Sequence, residues 1–292
     1  MASQALCFYC FEVLAGAFQG VDPPRLAAVQ TLFNQYEAEK KDVSALASAA
    51  PEDVRVDVDK DKWKITISTW RRTATPEKPV KAADDSWTTS DTLSSRLREN
   101  AKSEYPLFVT WNTMRNGDKI LRGCIGTFES QALEFGLNSY AIQSAFHDPR
   151  FKPIPSTIVP TLSCSITLLA DFEDCSDPFD WEIGTHGIRI SFTQGNRRYG
   201  ATYLPDVAAE QGWTKEETLK SLMAKAGYSE YPRARVARSQ SILSTAPWEE
   251  VTNFKVVRYK GLKASAKYDE WLHFREWASQ DESRLKILAE ER

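Results

Sequence analysis

Residues 4–18 carry apolar side chains on nearly every side of a helix, with Glu12 as the acid inside the stretch Ala5 to Phe18; that pattern predicts a buried helix. Over about 24–41, Leu26, Val29, Leu32, Phe33 and Tyr36 recur at helical spacing with polar residues opposite. Pro23 and Pro24 suit the start of that helix. From 42 to 104 the texture changes: Ala, Ser, Asp, Lys and Thr dominate. One island alternates, Val54, Val56 and Val58 and then Trp63, Ile65 and Ile67, across the turn Asp59-Lys60-Asp61. It predicts a hairpin flanked by flexible linker.

Regular patterning resumes at Tyr105. Leu107 to Trp111 predicts a strand, Asn116-Gly117 a tight turn and Ile120 to Ile125 the returning strand. A helix is expected from about Ser130 to Phe146, ending at Asp148-Pro149, and a strand over Leu162 to Leu169. Gly187 to Phe192 and Arg198 to Leu204 predict a second hairpin around Gln194-Gly195-Asn196. Leu204-Pro205-Asp206 opens a short helix, and Thr214 with Glu217 has capping-box spacing for another that Gly227 ends. A second loose stretch covers 229–250, Asn253 to Tyr259 returns as strand, and Tyr268 to Leu288 predicts a helix with a frayed end. No internal repeat is visible. Without the two loose stretches, the chain has the length of one ordinary domain with a core that needs no staples.

Composition narrows the function classes. The 292 residues hold 37 Lys+Arg against 40 Asp+Glu, a net charge of -3, and 11% aromatics. The aromatics exclude disorder along the whole chain. The charge argues against nucleic acid as a partner, because that affinity rests on cations meeting phosphates. No stretch reaches the ~20 apolar residues that span a bilayer, so no membrane association is expected. Ala15-Gly16-Ala17 resembles a cleavage site, but Met1-Ala2-Ser3-Gln4 carries no cation and Glu12 interrupts the apolar run; both oppose a secretory signal. Five irregularly spaced cysteines, Cys7, Cys10, Cys124, Cys164 and Cys175, predict reduced thiols in a cytoplasmic or nuclear protein.

The hairpin ends in Leu121-Arg122-Gly123-Cys124-Ile125-Gly126-Thr127, a thiol between two glycines with an arginine two residues before it. This segment resembles the signature of the AMMECR domain family, named for a chromosomal region linked to Alport syndrome. Cys7-Phe8-Tyr9-Cys10-Phe11, Tyr105 to Trp111, Asp148-Pro149-Arg150-Phe151, His186 to Ile190, Ala201 to Ala208 and Glu210 to Trp213 resemble it in the same order. The likeness is strongest to eukaryotic members. The chain departs from the family pattern in its long 42–104 segment and its expanded 229–250 segment.

The resemblance implies an α/β fold: a β-sheet with packed helices, in a larger and a smaller lobe. Residues 1–41 and 105–228 then form the N-terminal part and the core of one domain, and 251–278 its last strand and helix. Residues 42–104 and 229–250 are insertions and 279–292 a frayed tail. The family has no settled activity. Prokaryotic members occur beside, or fused to, Memo-type and radical-SAM-type proteins, an association by analogy only.

Cys124 is the sharpest candidate for chemistry. A thiolate is nucleophilic, and Arg122, two residues away, can share its face of a strand. His147 and His186 are the available bases. The competing account makes Cys124 a small buried residue in a tightly turned strand. Arg122, Gly123, Gly126, Thr127, Asp148 and Arg150 are the candidate substrate-binding residues, with Arg150 a bidentate donor for an anion; Asp148 and Arg150 read equally as a helix-end ion pair.

Cys7-x-x-Cys10 fits core packing, since no strand precedes it and no second close pair completes a zinc site. No metal and no cofactor is expected: neither a phosphate loop nor a dinucleotide fingerprint appears. Arg197-Arg198 and Arg233, Arg235 and Arg238 are read as a solvated hairpin tip and loop. Asp171, Glu173, Asp174, Asp177 and Asp180 are read as an exposed connection. Three functions stand: a substrate-binding pocket beside Arg122–Thr127, with Cys124 as nucleophile; a non-catalytic adaptor for a protein partner; and, weakest, nucleic-acid binding.

Overall fold

The structure, a computed structural model, describes residues 2–49, 54–59, 64–69, 103–115, 118–228 and 246–290. Helix α1 (Gln4–Gln19) is buried from Ala5 to Leu14 and stops at Gly20, whose φ of 69° is left-handed. The acid within it is paired: Glu12 is buried and accepts from the Trp271 indole at 2.9 Å and from Arg275 at 3.2 Å. Helix α2 (Leu26–Ala49) buries Leu26, Val29, Leu32 and Tyr36. It runs past the expected end at 41 because Ala38 to Ala49 contains good helix formers and neither Gly nor Pro.

Strands β1 (Val54–Asp59) and β2 (Lys64–Thr69) pair antiparallel from Val54↔Thr69 to Asp59↔Lys64, the segments that alternate in sequence. The linkers expected around them, the Asn116-Gly117 turn and residues 229–245 lie outside the described residues. Strand β3 (Glu104–Arg115) pairs antiparallel with β4 (Asp118–Ala132), and Arg115↔Asp118 flanks the turn position. β4 outruns its expected end at Ile125, since Tyr105↔Gln131 and Glu104↔Ala132 extend the ladder. Helix α3 (Leu133–Phe146) therefore starts three residues late.

A 3-10 turn (Ser156–Thr161) leads into β5 (Leu162–Asp174). Strands β6 (His186–Gln194) and β7 (Arg197–Tyr203) form the second hairpin, with Gly195 at φ 62° in its two-residue turn; a positive φ at the first turn position is what a type II′ hairpin needs. Helix α4 (Pro205–Gln211) follows. Helix α5 (Lys215–Ala226) has the full capping box of Thr214 and Glu217 and ends at Gly227, φ 98°. After a short 3-10 turn come β8 (Thr252–Lys267), α6 (Tyr268–Ser279) and α7 (Glu282–Glu290). The single helix expected over 268–288 is broken because the Asp281 carboxylate accepts from the Ser283 N–H and hydroxyl at 2.8 and 2.6 Å, starting α7 afresh. Within the stretch expected to fray, residues 282–290 form α7: Leu288 is buried, and Arg284 lies 3.8 Å over the Trp277 ring while donating to Glu39.

The sheet order is β4-β3-β5-β8-β6-β7. The molecule is thus a mixed α/β protein with a six-stranded sheet and packed helices. It divides into a larger unit, Met1–Ile166 with Lys263–Arg292, and a smaller one, Thr167–Leu262. In the larger unit, α1 meets α6 through Phe8–Phe274 and Phe11–Trp271, and β3 through Phe11–Trp111. In the smaller unit, Ile188, Ile190 and Phe192 of β6 and Val256 of β8 pack against Leu219, Leu222 and Met223 of α5. Among the described residues no helix is long and apolar enough to cross a membrane.

Candidate functional site

The β3–β4 ladder slips once near its middle. Trp111 faces Gly123 and Asn112 faces Leu121, so Arg122 is the extra residue of β4. An extra residue bends the strand and re-aims its own side chain. The flanks of the slip are anchored. The Trp111 indole is buried and donates to the Ala141 carbonyl of α3 at 3.0 Å. Gly123 lies against the Ser144 carbonyl of the same helix, where a Cβ would collide. Gly126 similarly admits the Leu107 carbonyl and the Phe108 ring.

Asp148 and Arg150 grip Cys124 by its main chain. Asp148 is buried; its carboxylate accepts the Cys124 N–H at 2.9 Å, the Arg150 N–H at 3.1 Å, and the Arg150 Nε and Nη2 at 3.0 and 2.7 Å. Arg150 Nη2 also donates to the Cys124 carbonyl at 2.9 Å. β4 is an edge strand, and its outward backbone groups would otherwise meet solvent or another chain. The Asp148–Arg150 pair stands where a neighbouring strand would. The Arg150 guanidinium, with the Cys124 N–H adding to it, holds the Asp148 carboxyl well below the usual carboxylate range.

The side chain of Cys124 has a separate partner. Its half-buried Sγ accepts from the Thr110 hydroxyl at 3.1 Å. Thr110 was missed in sequence; the signal for it is a polar residue facing the cysteine in an otherwise apolar strand. Cys175 makes the opposite arrangement, its thiol donating to the Asp180 carbonyl at 3.3 Å, and burial, with the Asp180 charge, pushes it up. Thr127 uses its hydroxyl to accept the Glu129 N–H.

Arg122 differs from Arg150. Its side chain is half-buried, its Nε is fully enclosed, and no acceptor among the described residues meets it. His147, exposed at the end of α3, makes no side-chain hydrogen bond among the described residues; only its N–H is used, to Gln143. His186 opens β6 in the smaller unit, and its Nδ1 accepts the Glu182 N–H at 3.1 Å. The larger unit thus gathers Arg122, Gly123, Cys124, Gly126, Thr127, His147, Asp148 and Arg150, and the smaller one holds His186.

Cys7 and Cys10 are buried on α1 beside Cys164 of β5, whose thiol is pushed up by burial and by hydrogen bonds to both. Among the described residues no group of three or more His, Cys, Asp or Glu side chains could hold a metal ion.

A family model described as AMMECR1 matches residues 72–243. An uncharacterised protein of Schizosaccharomyces pombe is 52% identical over 136 residues, spanning 46% of this chain and 70% of its own. An uncharacterised protein of Arabidopsis thaliana is 44% identical over 162 residues, spanning 52% and 76%. Among solved structures, the uncharacterised protein PH0010 of Pyrococcus horikoshii matches with a TM-score of 0.44 at 24% identity, over 59% of this chain and 78% of that one.

Proposed function

This chain belongs to the AMMECR1 family, and from that premise we propose that it binds a small or modified substrate beside the Leu121–Thr127 segment, with Arg122 meeting an anionic part of it. The observation that carries this reading is the Arg122 guanidinium, set in the slip of β4 with an enclosed Nε that meets no acceptor among the described residues. A buried charged donor left without an acceptor costs on the order of 1–3 kcal/mol; a carboxylate or phosphate oxygen would recover that cost with a charge-assisted hydrogen bond. Asp148 and Arg150 support the site by holding the backbone of Cys124. Cys124 is the candidate nucleophile of this reading, because its half-buried sulfur lies in the same strand segment and accepts a hydrogen bond from Thr110; the slip at Arg122 breaks the alternation that would have set the two side chains on one face of the strand.

The test is alkylation of the native protein by iodoacetamide, read at each cysteine by mass spectrometry across pH. Cys124 is expected to react roughly tenfold faster than the comparably half-buried Cys175, whose thiol is a donor. Succinate or inorganic phosphate is expected to slow Cys124 selectively, and Arg122→Met to remove that protection without lowering the melting temperature. The reading fails if neither anion protects Cys124 and Arg122→Met melts several degrees lower, because Arg122 would then be structural.

A second reading, a non-catalytic module for a protein partner, is favoured by the exposed apolar side chains Ile120 and Phe128 of β4 and Phe135 of α3.

A further inference from the structure

The smaller unit carries a second candidate site, on the sheet face opposite its core. Register places Arg189, Ser191 and Thr193 of β6 level with Thr202, Gly200 and Arg198 of β7, and Arg189 and Ser191 level with Val257 and Lys255 of β8. Side chains alternate along a strand, so these positions share the face turned away from Ile188, Ile190 and Phe192. A cavity of about 540 Å³ opens there, lined in part by Phe172, Arg189, Ser191, Arg198 and Gly200. A neighbouring one of about 360 Å³ shares Ser191 and Arg198 and adds Asn253 and Lys255.

The charges on this face are segregated. Among the described residues that line the two cavities, three are cations and none is an acid. The acids on either side of Phe172 are engaged elsewhere: Asp171 pairs with Lys260 at 3.3 Å, and Glu173 with Arg258 at 2.8 Å. Arg189, Arg198 and Lys255 are exposed and make no ion pair or hydrogen bond through their side chains among the described residues.

The floor between the cations is low, because Gly200 carries no side chain and its neighbour across the ladder is only Ser191. β8 is shaped around the same spot: between Ser191↔Lys255 and Thr193↔Thr252 it has one residue more than β6, and Asn253 takes φ 53° there. Asn tolerates that left-handed conformation, and the resulting bulge turns the strand just before Lys255. At the other rim Phe172 is 44% exposed, and its ring is tilted against Tyr259 at 5.1 Å. Tyr259 is itself held by its hydroxyl, which lies 2.8 Å from that of Thr202 and donates to the Tyr203 carbonyl at 2.9 Å.

We propose that this face binds a nucleoside phosphate, with the phosphates among Arg198, Lys255 and Arg189 over the Ser191–Gly200 floor and the base on the open side of the Phe172 ring. Three unpaired cations fit a ligand with two or more negative charges better than a single carboxylate. The cavity volume lies in the ~300–1,000 Å³ range of small-molecule sites. A fixed, exposed aromatic ring offers stacking to any planar base. The site involves neither Arg122 nor Cys124 and stands independently of the reading above.

The test is titration of the full chain by calorimetry, at physiological salt, with adenosine diphosphate, inorganic pyrophosphate and adenosine as probes. Adenosine diphosphate is expected to bind at roughly 10–100 μM, pyrophosphate several-fold more weakly, and adenosine more weakly still. Arg198→Gln and Arg189→Gln are each expected to weaken adenosine diphosphate about tenfold. Phe172→Ala should weaken it several-fold and leave pyrophosphate unchanged. All three residues are exposed, and unchanged melting temperatures would show that the variants fold. Three results would overturn the proposal: no saturation by millimolar adenosine diphosphate; binding indifferent to Arg198→Gln; or tighter binding of a ten-nucleotide oligouridylate that collapses with salt, which would make the face a backbone-tracking RNA surface.

Discussion

At Gly123 the missing Cβ lets the Ser144 carbonyl of α3 approach β4, and no side-chain rearrangement can clear a collision with helix backbone. Gly123→Val is therefore expected to cost about 3 kcal/mol or more. Cys124→Ser keeps the size of the residue and the backbone grip of Asp148 and Arg150, and should cost less than about 1 kcal/mol. Urea unfolding of the two variants checks the order; equal losses would mean that α3 does not depend on this approach.

Asp148 makes a prediction about acid. Its carboxyl titrates below its unfolded value, chiefly because of the Arg150 guanidinium. A depressed carboxylate contributes stability above the unfolded value of ~3.9, and that contribution is lost as the pH falls toward the folded value. Asp148→Asn should lower stability at pH 7 and flatten the decline between pH 5 and pH 2. Denaturant midpoints measured across that range decide it; parallel curves for the two proteins would remove Asp148 as the source.

Among the elements, α5 depends on chemistry visible in a few consecutive residues. The Thr214 hydroxyl accepts the Glu217 N–H at 3.2 Å, and Glu217 returns a bond from the Thr214 N–H at 2.8 Å. Thr214→Ala should cost about 1 kcal/mol by removing one side of that exchange, read as a shifted urea midpoint with an unchanged slope. The β6–β7 hairpin and the end of α5 were legible for the same reason, since Gly195 and Gly227 stand where a positive φ is needed. The break between α6 and α7 was not. The apolar spacing of 268–288 runs on across it, whereas the break is made locally by Asp281 and Ser283, which favour a cap over a helix interior.

At the scale of the whole molecule, the two ends of the chain build one core. Phe8 and Phe11 of α1 stack on Phe274 and Trp271 of α6, and the buried Glu12 accepts from Trp271. Removing α1 would expose those rings and leave Trp271 and Arg275 without their carboxylate. A chain beginning at residue 25 is expected to lose the near-ultraviolet circular dichroism of its packed aromatics and its cooperative melting. Retention of both would mean that α6 docks without α1.

What the sequence determined by itself is local or repeated along the chain: the alternation that makes β1, β2, β6 and β7, the apolar surround of α1, the caps of α5, and the run of motifs that marks the AMMECR1 family. These follow from spacing and backbone chemistry within a few residues. The tertiary structure alone decided which groups meet. Arg122 became the extra residue because of how β3 and β4 register. Asp148 and Arg150, which read in sequence equally as candidate ligands and as a helix-end ion pair, hold the Cys124 main chain because the end of α3 lies along an edge strand. Arg189, Arg198, Lys255 and Phe172 converge because β5, β6, β7 and β8 contribute to one face. Such contacts join residues far apart in the chain, and the free energy that selects them comes from packing whole elements, which no short stretch of sequence contains.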